Sequence, residues 1–316
     1  MEKSIENILK ELSKDFGDTI MTLDDIEKMD VIPFGLRSLD EITGCGGVPR
    51  GRITEIFGAE SGGKSTLCLA LVSEAQKLGL RCAYIDMELS MTKELATKVG
   101  VDMSKLIYAR PVTGEEALTL VDKLLEHDVK LIIVDSVSSL VPEGELEADF
   151  DKDSIGLQAR MMSKAMRKLL GVVKTNNAAL VFVNQIRDDI NKMGFGPKTT
   201  TSGGRALKFY SSLRLQIVRT GWITKGENEK IGLHIKVTTA KNKMSRPQLD
   251  TTFDFYFETG LDRGGDLLEC LVKTGEVREV GRTYYMGDKS IGTKLDAIRH
   301  LLDNYKPVDN SGVDKK

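Results

Sequence analysis

Hydrophobic residues fall along this chain in three successive patterns. Near the start, Ile5, Ile8, Leu9, Leu12 and Phe16 recur every three or four residues, which predicts an amphipathic helix within residues 1–19. A lone helix of that length is marginal in water, so its apolar stripe must dock on this chain or on a neighbouring copy. Residues 18–50 read as a connector ending in the turn Gly44-Cys45-Gly46-Gly47. From residue 51, short apolar runs alternate with helical periodicity. Strands are predicted at 52–57, 81–86, 106–108, 130–135 and 178–184, and helices at 65–78, 92–99, 114–127 and 155–175. Continuous apolar strands separated by helices imply a mostly parallel sheet covered on both faces. After residue 209 the period becomes two. Residues 212–218, 233–240 and 252–257 alternate without long helices between them, which predicts an antiparallel extension of the sheet. From residue 261 a small α/β module is expected, with a strand at 283–286 and a helix at 293–305. The expected organisation is an N-terminal oligomerisation helix and linker (1–30), an α/β core (31–260), a small C-terminal domain (261–308) and a disordered tail (309–316).

Composition narrows the class without naming a chemistry. The 316 residues are 41% hydrophobic and 29% charged, the balance of an ordinary globular protein. The longest apolar runs, 131–134 and 178–183, are far short of the ~20 residues of a membrane helix, so no membrane partner is expected. The N-terminus carries no apolar signal region. Four scattered cysteines, none in a C-x-x-C pair, and three histidines argue against zinc and suit reduced thiols in a cytoplasmic compartment. The net charge of −2 is not that of a constitutively basic nucleic-acid binder, so any positive surface must be local or assembled from several copies.

The chemistry concentrates in Gly58-Ala59-Glu60-Ser61-Gly62-Gly63-Lys64-Ser65, a complete G-x-x-x-x-G-K-S/T run between a predicted strand and a predicted helix. Its glycines let backbone N–H groups approach phosphate oxygens. Lys64 would reach the β- and γ-phosphates, the Ser65 hydroxyl would ligate Mg²⁺, and Thr66 continues into a helix whose positive end faces the anion. A nucleoside triphosphate and Mg²⁺ are therefore the expected ligands. The buried strand 130–135 ends in Asp135, placed to hold Mg²⁺ opposite Ser65. Glu88, just past the next strand end, suits a group that orients the attacking water; a helix N-cap or first-turn acid of the following helix fits the same spacing. Gln185 closes the strand 178–184 and could touch a γ-phosphate, or serve as a polar strand terminus. Residues 186–204 follow as a long, nearly structureless loop. Its Arg187, Lys192, Lys198, Thr199, Thr200, Thr201, Gly203 and Gly204 supply donors that suit phosphates.

Taken together these stretches resemble the bacterial RecA family of DNA strand-exchange recombinases, from roughly residue 1 to 305. The resemblance rests on Ala83-Tyr84-Ile85-Asp86-x-Glu88, Ile132-Ile133-Val134-Asp135-Ser136, the run from Gly156 to Leu169, Asn184-Gln185-Ile186-Arg187, Gly203-Gly204-x-Ala206-Leu207-Lys208-Phe209-Tyr210 and Lys241-Asn242-Lys243. It implies a RecA-like P-loop ATPase core. In that core Glu88 is the catalytic glutamate, Gln185 a γ-phosphate sensor, and Lys241 and Lys243 a pair reaching a neighbouring copy's phosphates. Residues of about 146–155 and 186–204 would be the DNA-binding loops. Arg160, Ser163, Arg167, Arg187, Gly203 and Gly204 would hold DNA phosphates, and Arg219 and Lys236 would belong to a secondary DNA site. Phe257 would flank the nucleotide base, and Lys208 and Phe209 would lie at a protomer interface. The implied function is an ATP-dependent recombinase that forms helical filaments on single-stranded DNA and pairs it with homologous duplex, with DNA-stimulated hydrolysis. Loader or mediator proteins would be further partners. A signalling scaffold with little hydrolysis and a ring-forming helicase are the alternatives; Glu88 argues against the first, and the lysine pair and N-terminal helix against the second.

The departures from the family also matter. Leu95 stands where the family has a base-stacking tyrosine, and Thr92 replaces a nearby aspartate, so base recognition is expected to be looser. The first loop region is acidic (Glu143, Glu145, Glu147, Asp149, Asp151, Asp153), which leaves Phe150 as an apolar wedge rather than the loop as a phosphate grip. Arg205 adds a charge beside Gly204, and Thr238 replaces a secondary-site lysine. An acidic C-terminal tail is not expected. These features suit a divergent or phage-encoded member.

Overall fold

The computed structural model describes residues 4–17, 20–22, 24, 28–149, 156–188, 199–226 and 228–305. The chain divides into two units, Met1–Asp30 and Val31–Lys316. In the first, α1 (Ile5–Phe16) forms over the predicted apolar stripe, and the Ser4 Oγ caps it by accepting the Asn7 N–H at 3.4 Å.

The second unit begins with more structure than a connector. β1 (Val31–Ile32) pairs antiparallel with β2 (Val48–Pro49), and α2 (Arg37–Thr43) lies between them. Ile32, Phe34, Leu36, Leu39 and Val48 are completely buried in the largest apolar cluster. Their two-residue period was masked by Pro33 and Gly35. The turn is pinned by Asp40, whose carboxylate accepts the Phe34 and Gly35 N–H groups at 2.8 and 3.3 Å.

The core then runs β3 (Arg52–Gly58), α3 (Lys64–Lys77), β4 (Cys82–Asp86), α4 (Lys93–Val99), β5 (Leu106–Ala109), α5 (Gly114–Glu126) and β6 (Leu131–Asp135). It continues with α6 (Glu143–Leu146), α7 (Leu157–Thr175), β7 (Ala179–Asp188), β8 (Thr199–Thr201), α8 (Ala206–Tyr210), β9 (Leu213–Lys225), β10 (Glu229–Asn242), β11 (Asp250–Tyr256) and β12 (Gly260–Leu261). The strand order is β12-β11-β10-β9-β3-β7-β6-β4-β5. Every pairing from β9 to β5 is parallel and every pairing from β9 to β12 antiparallel, as the change of period predicts. β3, β4 and β6 are buried nearly throughout, because helices cover both faces of the parallel part. One apolar cluster gathers α3 and the inner residues of β9 to β11; the other lies beneath α5 and α7.

Two expectations about loops change. β7 continues past Gln185, and its end pairs antiparallel with β8 in the register Ile186↔Thr201, Arg187↔Thr200 and Asp188↔Thr199. Residues 186–204 are therefore strand-paired at both ends. Three successive β-branched threonines favour that pairing, although their polarity hides it from a hydrophobic reading. The tips of both proposed loops (150–155 and 189–198), with Phe150, Lys192 and Lys198, lie outside the described residues, as does the tail beyond 305. The β9–β10 hairpin is also longer than the alternation suggests, since its outer half is exposed and carries no burial period.

The C-terminal segment folds α9 (Arg263–Thr274), β13 (Val277–Val280), β14 (Thr283–Met286), β15 (Lys289–Gly292) and α10 (Lys294–Asn304) around Leu268, Leu271, Val277, Ile291 and Leu301. It is tied to α2 by the Ser38 N–H donating to Asp266 at 3.1 Å, and to α3 by an Arg263–Glu74 ion pair. No helix among the described residues is long and apolar enough to cross a membrane.

Candidate functional site

The parallel strands deliver their carboxyl ends to one edge of the sheet, and the phosphate loop occupies the centre of that edge, between β3 and α3. Glycine is required twice there. A Cβ on Gly58 would stand 2.2 Å from the Ile217 carbonyl oxygen. One on Gly63, whose φ is +93°, would stand 2.8 Å from Ile235 Cδ1. Gly63 caps α3 in the left-handed region, so the helix starts at Lys64 with its free N–H groups turned to the loop. Ala59, Glu60 and Ser61 are exposed, Gly62 and Thr66 buried. Lys64 is buried and its Nζ donates to the Ala59 carbonyl at 2.8 Å. Desolvation lowers its pKa from the usual lysine value, opposed by the carboxylates of Asp135 and Glu88.

A carboxylate cluster faces this loop. The Ser65 hydroxyl donates to Asp135 Oδ2 at 2.7 Å, and the Tyr84 hydroxyl donates to the same oxygen at 2.5 Å. Burial raises the Asp135 pKa against those two hydrogen bonds, with Glu88 and Asp86 adding to the rise. Asp86 is wholly buried and organises the turn after β4. It accepts the N–H groups of Glu88, Ser90 and Met91 at 3.1, 3.4 and 3.1 Å, and the Tyr108 hydroxyl at 2.8 Å. That turn carries Glu88 out to the site. Glu88 Oε1 accepts Gln185 Nε2 at 2.7 Å and the Ser136 hydroxyl. The helix-cap alternative for Glu88 is thereby answered, because Thr92 caps α4. The structure thus brings Lys64, Ser65, Asp135, Glu88 and Gln185 together from four different strand ends.

The oxygen donors suit Mg²⁺. A serine hydroxyl and a carboxylate stand within one hydrogen bond of each other, and Mg²⁺ takes one or two protein oxygens while keeping water and phosphate ligands. Among the described residues there is no larger cluster of metal-ligating side chains.

Gln185 connects this edge to the segment behind it. Its backbone N–H donates to Asn184 Oδ1 at 2.9 Å, while Asn184 Nδ2 donates to Glu55 Oε1 at 2.9 Å and to the Ser202 carbonyl at 3.0 Å. Glu55 is completely buried in β3 and ion-paired with Arg214. Gln158, at the start of α7, donates to the Val137 and Leu140 carbonyls at 2.8 and 3.1 Å and accepts the Gly203 N–H at 3.2 Å. Gly203 and Gly204 therefore lie against Val137 and Ala159, where a Cβ would come within 2.8 and 2.9 Å of each.

This places Gly204 and Arg205 beside the first turn of α7. Arg160 and Arg167 are exposed on α7 with Ser163 half-buried between them, at helical spacing and opposite the buried Met162, Met166, Leu169 and Val173. Thr200, Gly203, Arg205, Lys208, Phe209 and Lys241 line one cleft of about 760 Å³. Lys208 Nζ donates to the Thr200 hydroxyl at 2.7 Å. Lys241 Nζ donates to the Lys208 and Phe209 carbonyls at 2.7 and 2.9 Å, and burial together with Lys243 and Arg214 lowers its pKa. Lys243 is exposed, and Phe209 is 67% exposed. Thr199 is placed by its pairing with Asp188, and Arg187 by its pairing with Thr200. Arg219, Lys236 and Phe257 sit apart, on the antiparallel extension: Arg219 stacks on Trp222, Lys236 pairs with Asp250 at 3.0 Å, and Phe257 meets Trp222 edge-on.

Sequence reasoning gave no role to Tyr84, Ser136, Asn184, Glu55, Gln158 or Arg214. Glu55 carried a signal, since an acid inside a buried strand demands partners. Gln158 carried none.

Comparison with known proteins follows the same lines. The RecA N-terminal domain family matches residues 3–262. The chain is 44% identical over 304 residues to Protein RecA of Thermus aquaticus, covering 95% of this chain and 89% of that one. It is 42% identical over 308 residues to Protein RecA of Aquifex aeolicus, covering 96% and 89%. It is 40% identical over 308 residues to the mitochondrial DNA repair protein recA homolog of Dictyostelium discoideum, covering 96% and 68%. With its phosphate loop, carboxylate cluster and paired loop ends in these places, the chain belongs to the RecA family.

Proposed function

We propose that this protein is an ATP-dependent DNA recombinase that assembles as a helical filament on single-stranded DNA, pairs it with homologous duplex and hydrolyses ATP when DNA is bound. The observation that carries the reading is the double hydrogen bond to Glu88. One donor, Gln185, lies on the strand whose end pairs with Thr199–Thr201; the other, Ser136, begins the turn that Gln158 ties to Gly203. The proposed catalytic carboxylate and the proposed DNA-binding segment thus share supports.

The chain's own groups divide the work. Gly58–Ser65 backbone N–H groups and Lys64 hold the triphosphate. Ser65 and Asp135 would hold Mg²⁺, which neutralises phosphate charge when bound. Glu88 orients and deprotonates the attacking water, and a γ-phosphate competes for the Gln185 amide that now rests on Glu88. Lys241 and Lys243 complete the site from a neighbouring copy, which requires Lys241 to leave the α8 carbonyls it occupies here. Arg160, Ser163, Arg167, Gly203, Gly204 and Arg205 face the DNA backbone. The four cysteines are free thiols, as in a reducing cytoplasm.

Electron microscopy of the protein with single-stranded DNA and a non-hydrolysable ATP analogue tests the reading. Helical filaments that need both ligands are expected. Closed rings, or particles that exclude DNA, would overturn it.

A further inference from the structure

The outer half of the β9–β10 hairpin carries an aromatic group that the proposed mechanism leaves unused. Trp222 is the single tryptophan of the chain and is 38% exposed. Its ring meets Phe257 edge-on, with centroids 6.4 Å apart, and Phe257 meets Phe255 in the same way at 6.1 Å. Arg219 and Lys230 lie over the Trp222 ring at 4.5 and 4.2 Å from its centroid.

Register decides which side of the sheet this group serves. Trp222 is directly opposite Leu233, and Leu233 is directly opposite Phe255. Residues paired in this way share a face. Leu233 and Phe255 belong to the apolar cluster on the α3 side. Ile235, two residues along the same face from Leu233, is the residue whose Cδ1 a Cβ on Gly63 would touch. The aromatic group therefore lies on the phosphate-loop side of the sheet, about 7 Å along β10 from the residue under the loop. The opposite wall is α4. Its Lys98 Nζ donates to the Phe257 carbonyl at 3.0 Å, and Leu95, one turn earlier, packs on the same cluster.

We infer that Trp222, with Phe257, forms the wall of the nucleotide site that receives the base. This rests on the phosphate-loop reading above and extends it. A triphosphate seated on Gly58–Ser65 directs its ribose and base away from the loop, along the face where an exposed aromatic stands beside Leu95 and Lys98 of α4. Arg219 and Lys230 lie over the ring in the free protein and must move off the face on which the base stacks. Trp222 is thus a specificity-determining residue for the nucleotide rather than a DNA-stacking residue.

Because Trp222 is the only tryptophan, its emission reports this wall alone. Wild-type protein would be titrated with adenosine thiotriphosphate, with inorganic tripolyphosphate and with oligo-dT, each with Mg²⁺, following emission and, separately, heat of binding. Trp222→Ala and Trp222→Phe would be measured by heat alone, after their melting temperatures are checked. Emission should change with the nucleotide and not with tripolyphosphate. Trp222→Ala should weaken the nucleotide about three- to tenfold, leave tripolyphosphate unchanged, and be largely rescued by Trp222→Phe. Nucleotide binding by heat with silent emission and unchanged affinity in Trp222→Ala would overturn this inference and leave the phosphate-loop reading standing. Emission that answers oligo-dT but no nucleotide would assign Trp222 to DNA and overturn it as well. If neither nucleotide nor tripolyphosphate binds, the phosphate-loop reading itself falls, and this inference with it.

Discussion

Replacing Asn184 by alanine removes three hydrogen bonds from a completely buried site: to Glu55, to the Ser202 carbonyl and from the Gln185 N–H. Two of these are neutral and contribute about 1 kcal/mol each, while the bond to the Glu55 carboxylate contributes about 2 kcal/mol. The sum is about 4 kcal/mol, which the remaining Arg214–Glu55 pair and water entering the cavity reduce. A loss of about 3 kcal/mol is expected, which for a chain of this size lowers the melting temperature by about 5 °C. Gln185→Ala is the control. It removes one half-buried bond to Glu88 and should cost under about 1 kcal/mol. Scanning calorimetry gives the stability difference, and ATP turnover with and without single-stranded DNA gives the functional one. Gln185→Ala should lose DNA stimulation at near-normal stability, whereas Asn184→Ala should lose both. A shift below about 2 °C for Asn184→Ala would mean that these three bonds do not support the strand end, and the proposed link from Glu88 to residue 202 would fail with it.

Glu88→Gln should keep nucleotide-dependent DNA binding and lose most turnover, at least about a hundredfold on the usual scale of acid–base catalysis; an undiminished phosphate-release rate would remove Glu88 from the chemistry. Lys241→Ala should cut turnover by filaments while leaving nucleotide affinity of dilute protein unchanged, as calorimetric titration would read; normal turnover would mean that the site is not shared between copies. Gly203→Ala forces a side chain into φ +81° and against Val137, costing about 1–2 kcal/mol and weakening single-stranded DNA binding measured by fluorescence anisotropy. Asp135 is a carboxyl raised by burial from 3.8, so acidification protonates it at higher pH than an ordinary aspartate. The native state then binds that proton more tightly than the unfolded chain, which stabilises the free protein as pH falls, but the protonated group no longer serves Mg²⁺. Mg²⁺-dependent nucleotide affinity should therefore fall as the pH is lowered, beginning above the usual aspartate range, and Asp135→Asn should show weak binding without that slope.

What could be read from the chain depended on whether a residue's role is local. The phosphate loop was legible because eight consecutive residues must supply both the tight turn and the helix start. Asp135 and Gln185 were legible because each closes an apolar run, and a parallel sheet collects such ends on one edge. The β1–α2–β2 entry was missed, since Pro33 and Gly35 interrupt an alternation that only the buried Ile32, Phe34 and Leu36 complete. Tyr84 was hidden inside an apolar strand, its hydroxyl reaching Asp135 on the adjacent strand. Gln158 was missed for a plainer reason. Its partners, Val137, Leu140 and Gly203, come from segments 18 to 45 residues away, and no period in the chain points to them.

Those long-range contacts explain how one protein could make hydrolysis depend on a strand of nucleic acid without a large rearrangement. β7 is held along its inner length between β3 and β6, with residues 179–183 fully buried. Past Gln185 its partners change: Gln185 still pairs with Gly58 of β3 while its side chain donates to Glu88, and residues 186–188 pair, among the described residues, only with Thr199–Thr201. The strand is therefore held by the sheet up to Gln185 and by β8 beyond it. A ligand that grips residues 199–205 acts on the β7–β8 pairing, and a γ-phosphate that takes the Gln185 amide acts on the same few residues from the other side. By reciprocity, DNA that tightens ATP binding must itself be held more tightly when ATP is bound, by the same factor. Hydrogen exchange at the Ile186 and Thr201 amides should slow when either ligand is added. It should slow further with both than the two separate effects predict. Additive protection would show that the ligands act on the pairing independently, and the coupling would then have to run through the Gln158 contacts instead.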